Sequence, residues 1–443
     1  MSKGFRSLPS AILRRFAGDQ RANVAIMFGM SLFPLTLLIG MTIDYSRATW
    51  RQTQMNAAAD SAVLAALTPP MLSQSDQNLI TRATNVFNAE VQSISGVNYV
   101  PSTLSVTIQD VGMTRTLTLS YQAASQNAFA ALIGKQTLTL SGTSQASASA
   151  APNMDFYLLL DNSPSMNIAA TSAGITTMVN NTQSQGGCAF ACHQSNPSKD
   201  NLGNPGGVDN YTLAQQLGVV TRIQNMATAT QALMSTASST EAINNVTYRM
   251  AIYTFNSQGT SAIAPLTSNL SSAQSAAGNI SVLEVYANNW LTSSNNNSDM
   301  DTNFESAMSS INGIMPAPGT GAANSTPQEV LFIVSDGVDD EPAASCSQTT
   351  APGNRCQQPF DTTWCTTVKN RGIRIAVLYT VYLPLPTNTW YNNWIAPFQS
   401  QISSNMQSCA TPGLFFAVTT DGDITGAMQT LFENAVATAH LTQ

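Results

Sequence analysis

Charge is scarce in this chain: Asp, Glu, Lys and Arg make up 9% of its 443 residues. So little charge argues against a charge-rich disordered chain and against a basic surface built for nucleic acid. Histidine is scarcer still, with His193 and His440 alone, too few for a His-rich zinc site. No cysteine precedes Cys188, no Gly-rich phosphate loop follows a strand pattern, and no Ser/His/Asp nucleophile arrangement has a supporting context. What is abundant is apolar: 43% hydrophobic content, enough for a sizeable core in two or more domains.

The few charges are unevenly placed. The net charge is −7, yet residues 1–51 carry seven Lys/Arg against two Asp, and the remainder carries ten against twenty-two Asp/Glu. Between the basic head and the acidic body, Ala22 to Ile43 contains no charged residue. At a rise of about 1.5 Å per residue this run spans the roughly 30 Å hydrocarbon layer. A cleavable signal peptide has a shorter apolar core and a small-x-small exit. The exit here, Ile43-Asp44-Tyr45-Ser46-Arg47, favours a retained anchor. Lys3, Arg6, Arg14, Arg15 and Arg21 then keep the N-terminus cytoplasmic by the positive-inside rule, and the chain from about residue 44 is exported. Cysteine usage agrees: Cys188, Cys192, Cys346, Cys356, Cys365 and Cys409 all lie in the exported part, an even number expected as disulfides. Cys188 and Cys192 are the pair suggested by proximity. With three residues between them, Cys188-Ala189-Phe190-Ala191-Cys192-His193 departs from the two-residue spacing of haem attachment and reads as a disulfide loop.

Along the chain, residues 1–21 form a cytoplasmic tail and 22–43 the membrane helix, which continues as an Ala-rich stalk over 44–70 until Pro69-Pro70 stops it. The Ala-rich face suits either self-association with a similar helix or packing on its own downstream domain. Residues 71–152 read as a small α+β module: a helix over 75–92, then period-two alternation at Leu104/Val106/Ile108, Leu117/Leu119/Tyr121 and Leu138/Leu140, then a linker over 141–152. From 153 to 440 strands and helices alternate, with an insertion at 167–208 rich in Gly, Asn, Ser and Pro. Short apolar runs at 154–160, 249–255, 329–334, 373–382 and 414–418 are expected as buried strands. Helical patterns lie at 213–237, 271–280, 304–311 and 424–435, and the edge segment lies near 261–265. The expected fold is α/β, a doubly wound, mostly parallel sheet.

Three segments place oxygen ligands at strand or helix ends. Asp161-Asn162-Ser163-Pro164-Ser165 follows the first buried strand, Asp336 follows Val330–Val334, and Thr302 opens the helix at Phe304. Such hard donors at the carboxyl edge of an open sheet suit Mg²⁺, with Mn²⁺ or Ca²⁺ as alternatives. Each piece also has a plain reading: Thr302 with Glu305 fits a capping box, and Asp336-Gly337 fits a turn.

Asp161-x-Ser163-x-Ser165, then Thr302, then Asp336, over roughly residues 153–440, resembles the metal-ion-dependent adhesion site of von Willebrand factor A domains. The resemblance implies that Ser163, Ser165 and Thr302 hold the metal directly, that Asp161 and Asp336 act directly or through water, and that a partner's carboxylate completes the coordination. Residues 16–66, with Asp19, Asn23, Pro34, Gly40, Asp44-x-x-Arg47 and Asp60, are similar to the N-terminal segment of TadE/TadG-like proteins of tight-adherence (Flp) pilus assembly. In the related pseudopilins a peptidase cuts after a glycine that is followed at the fifth position by glutamate. Here Gly18 places Asn23 there, so the tail is expected to remain. The resemblance implies a non-enzymatic inner-membrane protein whose exported domain binds a partner of the pilus machinery or envelope. A hydrolase on the same metal, or a minor pilus subunit, are the alternatives.

Overall fold

The computed structural model describes residues 20–111, 113–194, 198–200, 204–285, 301–342, 346–352 and 354–438, with side chains from residue 24. The basic tail up to Asp19, Gly18 within it, and His440 lie outside the described residues. The chain divides into two compact units, Met1–Ser149 and Ala150–Gln443.

In the first unit a single helix, α1 (Gln20–Ala66), contains the whole uncharged run, and Pro34 does not interrupt it. It is long and apolar enough to cross a membrane. Helix α2 (Asp76–Val91) and strands β1 (Val97–Tyr99), β2 (Ser105–Val111), β3 (Thr114–Gln126) and β4 (Thr137–Ser149) follow, the strands antiparallel around β3. The Ala-rich stalk packs on this module. Ala48, Met55, Ala58, Ala59, Ala62, Val63 and Ala66 are buried, and small side chains let β4 approach the helix closely. The Ala-rich face is therefore packed against the chain's own helix α2 and sheet.

Residues 141–149, expected as linker, form the second half of β4. Ser and Thr serve there as strand residues because their hydroxyls pair across the ladder: Thr114 with Ser149 at 2.9 Å, Thr116 with Ser147 at 2.8 Å and Ser120 with Thr143 at 2.9 Å.

The second unit contains β5 (Met154–Asp161), α3 (Ser172–Asn181), α4 (Asn210–Gln216), α5 (Arg222–Asn244), β6 (Tyr248–Asn256), β7 (Gly259–Thr267), α6 (Leu270–Ala277), α7 (Phe304–Ile314) and β8 (Gln328–Ser335). Then come β9 (Val338–Pro342), β10 (Arg355–Pro359), α8 (Thr363–Asn370), β11 (Arg374–Thr380), α9 (Gln399–Cys409), β12 (Phe415–Val418) and α10 (Ile424–Thr438). The main sheet runs β12-β11-β8-β5-β6-β7, parallel except for the antiparallel edge strand β7. β5 lies at the point where strand order reverses, with β6 on one side and β8 on the other.

Burial on both faces explains the unbroken apolar runs. Phe156, Leu158 and Leu160 pack among Met226, Leu233 and Phe432, while Tyr157 and Leu159 join Phe304, Met308 and Phe360 on the opposite face. The 213–237 helix pattern resolves into two helices, α4 and α5, because Gly218 adopts a left-handed φ of 65° between them. The insertion carries α3, and Cys188 and Cys192 are not bridged to one another. The disulfides are Cys346–Cys356 and Cys365–Cys409.

At the opposite end of the sheet from the strands' carboxyl edge, Asp155 of β5 is bound by the Arg249 guanidinium, with Nε at 2.7 Å. Glu329 sits beside Asp155 in register, and neither of its buried carboxyl oxygens meets a hydrogen-bond donor among the described residues. Burial first, and then the Asp155 charge, push its pKa from 4.5 up to about 8. Between those values the folded chain holds a proton that the unfolded chain releases, so stability from this group falls as pH rises through the window. Glu329→Gln removes that dependence, which at about 1.4 kcal/mol per pKa unit amounts to several kcal/mol across the window. The variant's loss of melting temperature from pH 5 to pH 8.5, in fixed Mg²⁺, should be several degrees smaller than the wild type's. Equal losses would mean the carboxyl is ionised in the fold.

Candidate metal centre

Four of the five candidate side chains, those of Asp161, Ser163, Ser165 and Asp336, are placed by the end of a strand. β5 ends at Asp161, whose Oδ1 accepts the Ser163 N–H at 2.9 Å, curling the chain into a short turn, Pro164–Asn167. This curl brings the Ser163 and Ser165 hydroxyls to 3.1 Å from each other. On the neighbouring strand β8, the Ser335 hydroxyl donates to Asp161 Oδ2 at 2.6 Å and accepts the Gly337 N–H at 3.0 Å. Asp336 follows, with the Ser165 hydroxyl against its carboxylate. Gly337, at φ 78°, then turns the chain back into β9, and a Cβ there would meet Ile402 at 2.7 Å.

β9 also positions Thr302. The Asp340 carbonyl accepts the Thr302 N–H at 3.1 Å, and the Asp340 N–H donates to the Thr302 carbonyl at 2.9 Å. The capping box anticipated for Thr302 and Glu305 is not what starts α7. Asn303 caps it through the Ser306 N–H at 2.7 Å, and Asp339 accepts the Phe304 N–H at 2.8 Å. Thr302 and Ser165 instead line one cavity of about 780 Å³ beside the sheet edge. Its wall includes Arg355, which pairs with Asp340 and lies 5.0 Å over the Trp390 ring.

Asp161, Ser163, Ser165 and Asp336 thus form one cluster, while Thr302 reaches the same cavity from the β9 side. Asp161, Ser163 and Asp336 are buried. Burial raises the Asp161 pKa, and burial together with the Asp161 charge raises that of Asp336, opposed by the Ser165 hydroxyl and the Arg222 guanidinium. Arg222 is itself buried and donates to the Val381 carbonyl at 2.9 Å and the Thr420 hydroxyl at 3.2 Å. Two ionised acids against one guanidinium leave one net negative charge, which favours a cation over an anion or a neutral ligand. The oxygen-only donor set fits Mg²⁺ or Mn²⁺ rather than a softer metal. Among the described residues no group of three or more His, Cys, Asp or Glu could hold a metal, so a site here depends on its hydroxyls. Sequence reasoning missed Ser335 and Asp339. Ser335 was detectable as a hydroxyl at the end of a buried strand, one residue before Asp336. Asp339 lies in a polar stretch with no strand pattern.

A mostly parallel sheet in which β5 carries Asp-x-Ser-x-Ser at its end, flanked by helices on both faces, defines a von Willebrand A-like α/β domain behind an N-terminal apolar helix. Residues 22–68 match the family model described as putative Flp pilus-assembly TadE/G-like. No curated protein matches the chain. Among solved structures, the von Willebrand factor domain of a type V pili tip protein from Porphyromonas gingivalis is 10% identical with a TM-score of 0.35, covering 65% of this chain and 97% of its own. The minor pilin PilB of Streptococcus sanguinis is 10% identical with a TM-score of 0.33, covering 78% of each chain. The pilus adhesin SpaC of Lactobacillus rhamnosus GG is 11% identical with a TM-score of 0.34, over 76% of this chain and 34% of its own. The strand order, and not these likenesses, defines the fold.

Proposed function

We propose that this chain is a membrane-anchored, non-enzymatic pilus-assembly or adhesion protein. α1 tethers it in the bacterial inner membrane with the N-terminus cytoplasmic. The second unit, outside that membrane, holds a divalent cation, Mg²⁺ in the first instance. The observation that carries this reading is the cluster of Asp161 and Asp336 with the Ser163 and Ser165 hydroxyls at the strand-order reversal, where open α/β sheets take ligands. Ser163, Ser165 and Thr302 would hold the cation directly, with Asp161 and Asp336 orienting hydroxyls and water. The bound cation would supply an open coordination position for a carboxylate on a protein of the pilus machinery or envelope. The oxidising compartment implied by this placement suits the two disulfides.

Capture from detergent extracts tests the reading. The full-length wild type should recover a protein partner in Mg²⁺, lose at least tenfold in EDTA, and match that loss when Asp161→Ala is used in Mg²⁺. Recovery that is indifferent to chelator and to Asp161 contradicts it. Release of phosphate or peptide by the wild type but not by Asp161→Ala would point to a hydrolase instead, and accumulation in sheared filaments to a pilus subunit.

A further inference from the structure

The hairpin of β3 and β4 descends along α1, and its contacts fix the direction. Ser144 hydrogen-bonds Asp60 at 2.5 Å, the Ser141 carbonyl meets Gln52 at 2.9 Å, and the Gln126 carbonyl meets Arg51 at 2.9 Å. The tip, residues 127–136, arrives at Asp44, whose carboxylate accepts the N–H groups of Ala128, Phe129 and Ala130 at 2.8–2.9 Å. Phe129 lies against Gly40 so closely that a Cβ there would come within 2.6 Å of its ring. Residues 40–43 are the last turn of the uncharged run, and Asp44 follows it directly. The tip is therefore held beside the end of the apolar span, about 24 Å down the helix from Asp60 at 1.5 Å per residue.

This tip is apolar where it faces outward. Leu132 is 79% exposed, Ile133 50% and Phe129 39%, with Tyr45 on the adjoining helix at 69%. Lys135 is also exposed. A hollow of about 640 Å³ between tip and helix is lined by Met41, Tyr45, Ile133 and Leu138, among others. Exposed leucine and isoleucine at the end of a hairpin are costly in water. Apolar side chains flanked by an aromatic and a lysine match the boundary between headgroups and acyl chains.

We propose that residues 129–133 insert into the outer leaflet as a second membrane contact, fixing the module on the bilayer rather than letting it swing on a stalk. The occupant of this surface is lipid, because the patch is continuous with the span of α1. The inference rests on the membrane-anchor reading. It is tested with the full chain in phosphatidylcholine vesicles, with or without bromine on the upper acyl chain, by reading the fluorescence added over wild type by one new tryptophan. Leu132→Trp should be quenched at least threefold more than Leu64→Trp, whose exposed position lies on the stalk. Phe33→Trp, within the span, should be quenched strongly. If Phe33→Trp is quenched and Leu132→Trp matches Leu64→Trp, the inserted tip is wrong while the anchor stands. If Phe33→Trp is also unquenched, both fall.

Discussion

Mg²⁺ added to the full-length chain in detergent is expected to raise the melting temperature of the α/β domain by about 5–10 °C, and Asp161→Asn is expected to abolish that rise. Ligand at a hundredfold excess over Kd adds about 2.7 kcal/mol, and a domain of this size gains roughly 2–4 °C per kcal/mol. Charge is the cause. Asp161 and Asp336 are buried together, each raising the other's cost of ionisation, and both oxygens of Asp161 are spoken for by Ser163 and Ser335. Asn keeps an acceptor for the Ser163 N–H while removing one charge. In EDTA at neutral pH the variant should therefore be at least as stable as the wild type, because the repulsion is gone. Loss of Mg²⁺ response without loss of fold is the expected signature. An equal Mg²⁺ response in both proteins places the cation elsewhere.

Removing the Cys365–Cys409 disulfide by double substitution to Ala is the second large effect, expected to cost about 4 kcal/mol in urea unfolding. The bond joins α8 to α9 on one face of the sheet, closes a sequence separation of 44, and both cysteines are buried. The Cys346–Cys356 bond closes a separation of only 10. Its removal should cost less, about 3 kcal/mol by the same loop-entropy reasoning. It ties β10 to the segment just after β9, on the strand pair that carries Asp340 and hence Thr302. Removing it should thus weaken the Mg²⁺ response more than removing Cys365–Cys409 does, the reverse of the stability order. The same order in both measurements would show that β9 holds Thr302 without help.

The parts of the fold that could be read in the sequence were those governed by burial. Strands enclosed on both faces, such as Met154–Asp161 and Gln328–Ser335, show as unbroken apolar runs, and the acids behind them mark the carboxyl edge. What escaped was polar structure held by pairing. Val338–Pro342 and Arg355–Pro359 have no alternation. Backbone hydrogen bonds, the Asp340–Arg355 pair and a disulfide hold them together. The Ser/Ala run 141–149 has linker composition, and its strand depends on hydroxyl pairs with β3 and on the small face of α1, neither of which a local pattern reveals. Asp44 was visible as an exit residue, but its three backbone partners lie more than eighty residues away.

On the proposed function, Ser163, Ser165 and Thr302 hold a divalent cation, with Asp161 and Asp336 orienting the hydroxyls and water around it. Anomalous diffraction from crystals of the Mn²⁺-treated protein tests it most directly. One strong peak is expected about 2.1 Å from all three hydroxyl oxygens, absent from Asp161→Asn crystals. A fully treated crystal with no peak there, or a peak held by other residues with these hydroxyls turned away, would contradict it.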